Sequence, residues 1–529
     1  MTSFSIEQLD PDVDVLASPL SGTDSAQASD IPDVVRNFVA YLHQKLCESD
    51  VAEVANLTEH TLAKLSERFF KSAPWPTAEA VAPLLPEKSS VPKDLFLCLY
   101  NELRYRHIYS RLQQSMTFEE RLGSFNNYAK LFGLLLDSKT PVPLVLPNQW
   151  LWDIVDEFIY QFQSFAQYRS KLKNKSDAEL AALKANGDVW SVRSVLSFLQ
   201  RFVEKSAVLA SLEADAGAAG KEDIFATIGY FSLVGLARVH TLLGDYQLAM
   251  QTLAPIDLSK KHGLFTRVPS CQLTLYYYLG FSNLMLRRYS HAIRAFSTIL
   301  QYMGRTRQYF QKQSSSQYEQ AWGKKNEQMY ALLAICIALS PQRVDEQVHT
   351  MLREKYGDRI QRMQRGDEES YEELFVSACP KFILACPPSL EGKDAAEASN
   401  NHNQAAYRLQ KKIFLAEVRQ QVLLPTIRSY LKLYTTISVA KLAQFLDVSE
   451  AQCRTYLMCL KHKTNKDKPK TGGRNDVQFT IDNDVVHVLD TQANRKRQHY
   501  DWFLKSIDKL DRVMGDMGRR EATRKANAQ

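Results

Sequence analysis

The sequence predicts a mainly α fold: a solenoid of tetratricopeptide-like helical hairpins, then a winged helix, then a C-terminal helix suited to a bundle. Three observations carry this. A six-residue pattern recurs at a constant offset of 43 within residues 226–385. Residues 424–491 read as three short helices and a hairpin, and residues 500–517 place apolar side chains three and four apart.

Composition sets the limits within which these elements sit. A chain of 529 residues allows roughly three or four structural units and a large buried core. The formal net charge of +7 is modest but unevenly spread. Residues 1–30 hold Glu7, Asp10, Asp12, Asp14, Asp24 and Asp30 with neither Lys nor Arg, which by subtraction leaves about +13 on the remainder. This stretch is expected to be a disordered acidic tail. It has no basic start and no apolar run, so it does not read as a signal peptide. The longest apolar run, Tyr330 to Leu339, is half of what a bilayer requires, and no membrane contact is expected. Eight cysteines are scattered without a C-x-x-C pair, as in a reduced, cytoplasmic chain.

Residues 31–225 form an N-terminal helical domain, with polar breaks near 88–93, 138–147 and 171–188. Trp75 between Pro74 and Pro76 marks a tight corner. In its densest helix Leu151, Ile154, Phe158, Phe162 and Phe165 make one stripe, and Trp152, Val155 and Ile159 a second. A helix apolar on two sides is a core helix or one that waits for a partner. Residues 226–385 form the repeat array. Leu233, Leu236, Ala237, Tyr246, Ala249 and Leu253 match Tyr276, Leu279, Gly280, Tyr289, Ala292 and Phe296. Small residues fall where two helices cross, and an aromatic fills the bend. The usual tetratricopeptide period is about 34, so the surplus is assigned to the loop Asp257–Pro269. Residues 386–404, rich in Ala, Asn and Ser, are expected to be a flexible connection.

Residues 405–491 comprise a linking helix and the winged helix. Pro425 suits a first helical turn, with Ile427, Leu431 and Tyr434 behind it. Ser438 can cap a second helix carrying Leu442, Ala443 and Leu446, and Asp447 and Val448 make the turn. Ser449 with Gln452 forms a capping box for a third helix through Leu457 and Leu460. Val477, Phe479 and Ile481 alternate, Asn483 turns the chain, and Val486 and Val488 return it. A DNA-reading helix needs donors on its early turns. Here Glu450, Ala451 and Gln452 come first and Arg454 is the only early cation, so sequence-specific DNA binding is the minor reading. Lys461, Lys463, Lys466, Lys468, Lys470 and Arg474 follow, in a segment containing Gly472 and Gly473. They suit non-specific RNA phosphate contacts or a solvated loop, and the sequence leaves both open.

Residues 492–529 are a C-terminal helix (493–525) and basic tail. Tyr500, Phe503, Ile507, Leu510, Met514 and Met517 form a heptad seam, a candidate subunit interface. Such a helix either packs back on its own domain or enters a bundle with other chains.

No phosphate loop, dinucleotide fingerprint, H-E-x-x-H or nucleophile elbow occurs. Carboxylate groups such as Asp153, Asp156 and Glu157, or Glu368 and Glu369, fall on helix faces and are read as solvent-facing charges. Neither an enzyme nor a cofactor or metal is expected.

Helical hairpins followed by a winged helix resemble the PCI-domain family, shared by subunits of the proteasome lid, the COP9 signalosome and translation initiation factor 3. Segments 68–78 around Trp75, 147–168 from Pro147 to Tyr168, 229–246, 352–359 and 371–382 from Tyr371 to Phe382 more closely resemble the initiation factor 3 subunit L family. The resemblance covers nearly all of Ile31 to Met517. It implies a PCI helical part from about residue 295 and a non-catalytic scaffold in a cytoplasmic complex. That complex would bind the small ribosomal subunit and promote recruitment of mRNA and initiator tRNA. It also implies laterally associated winged helices, bundled C-terminal helices, and subunits K and E as neighbours. A subunit of another PCI complex or a winged-helix regulator is the alternative.

Overall fold

A computed structural model describes residues 31–86, 89–112, 116–137, 144–171, 175–213, 224–258, 263–313, 316–386, 395–466, 477–489, 500, 502–504, 506–515 and 517. The acidic stretch 1–30 lies outside them. The fold is mainly α and divides into two compact units. One comprises Met1–Arg287, Arg294–Met329 and Cys379–Gln410; the other comprises Arg288–Ile293, Tyr330–Ala378 and Lys411–Gln529.

The first unit opens with α1 (Asp33–Glu48), α2 (Val51–Asn56), a π turn at Leu57–Thr61, α3 (Leu62–Phe69) and α4 (Ala78–Val81). The expected corner lies between α3 and α4, where Trp75 is buried against Phe38 and Phe70 and donates to the Ser66 hydroxyl. Helices α5 (Lys93–Arg111) and α6 (Phe118–Leu136) pair, the latter started by a capping box between Thr117 and Glu120. Then come α7 (Asn148–Ser170), α8 (Asp177–Ala185), α9 (Val192–Lys205), α10 (Val208–Glu213) and α11 (Ile224–Leu243). Both stripes of α7 are buried, because α5 and α11 pack against it. Phe132, Phe158, Phe198 and Trp190 form an aromatic core beside it.

The carboxylates of α7 correct the sequence reading. Asp153 and Asp156 are only partly exposed and face cations on other helices: Arg106 lies 2.9 Å from Asp153, and Arg238 pairs with Asp156. Arg106 also binds the fully buried Glu102, which accepts from the Trp150 indole. Burial raises the pKa of Asp153, with Arg106 opposing, although 30% of its side chain reaches solvent. Burial likewise pushes Glu157 up to about 8. A charge on a helix face becomes interior when neighbours cover that face, and the local pattern does not show this.

The repeat is real in the backbone as well as the side chains. Helices α11 and α12 (Tyr246–Leu253) form one hairpin, and after α13 (Leu264–Arg267), α14 (Pro269–Met285) leads into α15 (Tyr289–Gln313). The bends carry positive φ at Gly244 (90°) and Arg287 (66°), again 43 residues apart. A Cβ on Gly280 would lie 2.5 Å from the Phe296 ring, so the close crossing needs the small residue. Helix α13 lies in the loop to which the surplus length was assigned. Helix α11 is the one described helix long and apolar enough to cross a membrane, but 89% of that stretch is buried. It packs against α7, α9, α12 and α14 and serves as core.

The second unit takes the end of α16 (Ser316–Leu339), then α17 (Glu346–Gln364) and α18 (Glu368–Ala378). Helix α19 (Ala395–Gln421) contradicts the expected flexible connection over residues 395–404. Ala395, Ala396 and Ala398 are strong helix formers, and they extend a helix already nucleated behind them. The remainder of α19 packs on α18 through the stacked rings of Phe375 and Phe414. Lys411–Glu372 and Arg419–Glu368 pairs flank that contact.

The winged helix follows: α20 (Leu424–Leu433), β1 (Thr436–Ser438), α21 (Val439–Leu446), α22 (Glu450–Lys466), β2 (Gln478–Asp482) and β3 (Val485–Leu489). Ser438 caps α21, accepting from the Lys441 backbone N–H, and Ser449 with Gln452 forms the predicted box at α22. Asp447 ends α21 in the left-handed region. Asn483 and Asp484, both at positive φ, make the two-residue hairpin turn. The sequence reading missed β1, which pairs antiparallel with β3 to give the sheet order β1-β3-β2.

Candidate docking surfaces

The core of the winged helix fixes which side of α22 faces outward. Cys453 and Leu457 point inward with Ile427, Leu442, Phe479 and Val486, leaving Glu450, Ala451, Arg454, Thr455 and Met458 outside. Of the early side chains able to address a base edge, Gln452 commits its oxygen to a cap and Arg454 is paired with carboxylates. Gln452 accepts from the Ser449 backbone N–H in the capping box. The Arg454 guanidinium lies 2.9 Å from Asp484 at the wing turn and 3.8 Å from Glu450. Direct major-groove readout draws on such donors, and the carboxylates of Glu450 and Asp484 beside Arg454 make this face less suited to it.

Of the six cationic candidates, the side chains of Lys461 and Lys463 are described, and they have different surroundings. The Lys461 ammonium sits 5.9 Å from the centroid of the Phe479 ring on the exposed side. Lys463 instead turns toward α19, where its ammonium is 2.6 Å from Glu417 and 2.8 Å from the Gln421 side-chain oxygen. Glu417 is 7% exposed and also accepts from the Tyr289 hydroxyl. Lys466 ends α22, while Lys468, Lys470 and Arg474 lie outside the described residues. One signal for Lys463 was legible: it continues the inward row Cys453, Leu457, Leu460 at helical spacing.

The seam residues lie on a C-terminal helix, and among the described residues their side chains are exposed. Residues 500, 502–504, 506–515 and 517 are helical. Tyr500, Phe503, Ile507, Leu510, Met514 and Met517 are 51% to 72% exposed. Trp502, Leu504 and Val513 beside them are exposed too. The apolar surface therefore spreads past the narrow seam that a two-stranded coil needs, and it suits burial among several helices.

Sequence reasoning missed a second apolar face, on α20 and α21. There Phe445 stacks on Tyr430 and Tyr434, at 5.4 and 6.3 Å between centroids, and Leu433, next to Tyr434 in the chain, is exposed. The only advance signal was that Leu433 and Phe445 fall off the inward stripes of their helices. Among the described residues no cluster of His, Cys, Asp and Glu could hold a metal ion.

Comparison with known proteins agrees with this architecture. Residues 120–510 match the family described as RNA polymerase I-associated factor PAF67. The chain is 43% identical over 510 residues to a Nematostella vectensis protein named eukaryotic translation initiation factor 3 subunit L, covering 93% of this chain and 94% of that one. It is 45% identical over 522 residues to the Xenopus tropicalis protein of that name, covering 91% and 90%. Against the human protein of that name the figures are 44% over 532 residues, covering 93% and 92%.

Proposed function

This chain belongs to the family of eukaryotic translation initiation factor 3 subunit L, and from that premise we propose that it is a non-catalytic scaffold subunit of initiation factor 3. In that role it supports binding of the factor to the small ribosomal subunit and recruitment of mRNA and initiator tRNA, in the cytoplasm. Its PCI domain runs from about residue 295 through the winged helix to 491. Sister subunits dock on that domain and on the C-terminal helix, with subunits K and E as the proposed neighbours.

One observation carries this reading beyond the family name: an amphipathic helix whose seam, from Tyr500 to Met517, is exposed in the isolated chain. Exposed Leu, Ile, Phe and Met on one helix cost solubility unless a partner covers them. At roughly 25 cal/mol per Å² of apolar area, covering six such side chains stabilises an assembly by several kcal/mol. The pairing of Arg454 with Asp484 and Glu450 weighs against a base-reading role for the same domain.

The test is the triple variant Phe503→Asp, Ile507→Asp, Leu510→Asp. It is expected to release the chain from the complex while its helical content and melting temperature stay unchanged. Undiminished co-purification with the sister subunits would overturn the proposal.

A further inference from the structure

Helix α17 concentrates positive charge that its surroundings leave unpaired. Val348, Leu352 and Met363 anchor the helix, while Arg353, Lys355, Arg359, Arg362 and Arg365 are all exposed. Against these five cations, residues 353–365 hold two carboxylates, Glu354 and Asp358. Among the described residues, none of the five cations has a carboxylate within 4.0 Å. Other cations of the same unit are paired: Lys411 with Glu372, Arg419 with Glu368, Arg454 with Asp484 and Lys463 with Glu417. The next carboxylates in the chain are committed elsewhere, since Asp367 accepts from the Ser370 hydroxyl and Glu368 holds Arg419.

The spacing of these cations works against the helix itself. Lys355 and Arg359 are four apart, and Arg359, Arg362 and Arg365 follow at threes. Like charges at those separations repel along a helix. The helix dipole rewards cations only in the last turn, so it accounts for Arg362 but not for Lys355 or Arg359. Ten residues of helix set the row over about 15 Å. Arginine in such a row suits phosphate, whose oxygens its planar fork can accept in pairs. The one aromatic side chain of α17, Tyr356, is half-buried and engaged. Single-stranded RNA is held by stacking bases on open rings. A face of cations without such rings fits a duplex, which offers phosphates on both strands.

We propose that the Lys355–Arg365 edge of α17 binds the phosphate backbone of double-stranded RNA without reading its sequence. The choice of RNA among polyanions rests on the proposed role in translation. The contact is made by the isolated chain, so it stands or falls separately from the docking of the C-terminal helix on sister subunits.

The experiment is fluorescence anisotropy of the purified full-length chain with a labelled RNA duplex of about 20 base pairs and arbitrary sequence. The variant Lys355→Gln, Arg359→Gln, Arg362→Gln, Arg365→Gln should weaken binding at least about tenfold. Between roughly 50 and 200 mM salt it should also lower the slope of log affinity against log salt by about 3. The variant Arg359→Lys, Arg362→Lys, Arg365→Lys keeps the charge and should bind within about threefold of the parent. A charge-matched control on the exposed residues Lys64, Lys71, Lys184 and Arg193, each changed to Gln, should leave binding unaltered. Equal losses in the control and the α17 variant would overturn the proposal, as would an unchanged affinity in the α17 variant. Tighter binding of oligouridylate than of the duplex, or polyglutamate competing as well as RNA, would overturn it too.

Discussion

Replacing Lys463 with Met should loosen the winged helix from the helix that carries it. In the folded chain the Lys463 ammonium is 2.6 Å from Glu417, with the two side chains 18% and 7% exposed. Losing one partner of a buried pair costs about 3–5 kcal/mol, because the other charge stays buried. Lys463 is partly solvated, and Glu417 keeps its bond from the Tyr289 hydroxyl, so a loss of roughly 2–3 kcal/mol is expected. A multi-unit chain need not unfold in one step, so global melting is the wrong assay. Amide hydrogen exchange along α19 and α22 reads local opening directly. At about 1.4 kcal/mol per tenfold, protection there should fall roughly 30- to 150-fold. The Glu417→Gln variant should cost less, and combined with Lys463→Met it should restore part of the protection. Protection within threefold of the parent, or strictly additive effects in the double variant, would refute the ion-pair argument.

The Gly280→Ala variant places a methyl group 2.5 Å from the Phe296 ring and should cost about 1–3 kcal/mol by overpacking. Gly304→Ala on the same solenoid meets nothing within 4 Å and should stabilise by up to about 1 kcal/mol, and denaturant titration separates the two. Burial raises Glu157 to about 8, so the folded state holds a proton that the unfolded state has released above its ordinary carboxylate range. That contribution to stability is present at low pH and lost as pH rises from about 4.5 to 8. Glu157→Gln should therefore gain melting temperature relative to the parent as pH increases, whereas parallel curves would contradict the shift. If the cationic segment touches RNA, Lys461→Glu with Lys468→Glu and Lys470→Glu should lower the salt slope of RNA binding by about 2. Lys463→Met should leave that slope unchanged, and equal effects from both would contradict the inward placement of Lys463.

The elements that repeat or cap themselves were legible from the sequence. The 43-residue offset appears in the structure as two bends with the same backbone sign, and both winged-helix caps predicted from Ser438 and Ser449 are present. The parts missed depend on distant partners. Strand β1 is three residues long with one buried side chain, too short to alternate, and exists because β3 pairs with it. Asp153 and Asp156 look solvated on α7 until α5 and α11 supply Arg106 and Arg238. Lys463 belongs to a Lys-rich run by composition, but its direction on α22 takes it to Glu417. The seam at 500–517 was visible as a pattern, yet periodicity alone could not say whether the helix folds back. In the structure its apolar residues are exposed.

That exposure makes hydrogen exchange across residues 500–517 the most direct test of the scaffold proposal. In the isolated chain these amides should exchange quickly, as expected of a lone helix with no packed face. In the purified initiation factor 3 complex the same amides should gain at least a hundredfold protection, centred on Phe503 to Met514. Equal exchange in the two states would contradict the docking of this helix on sister subunits.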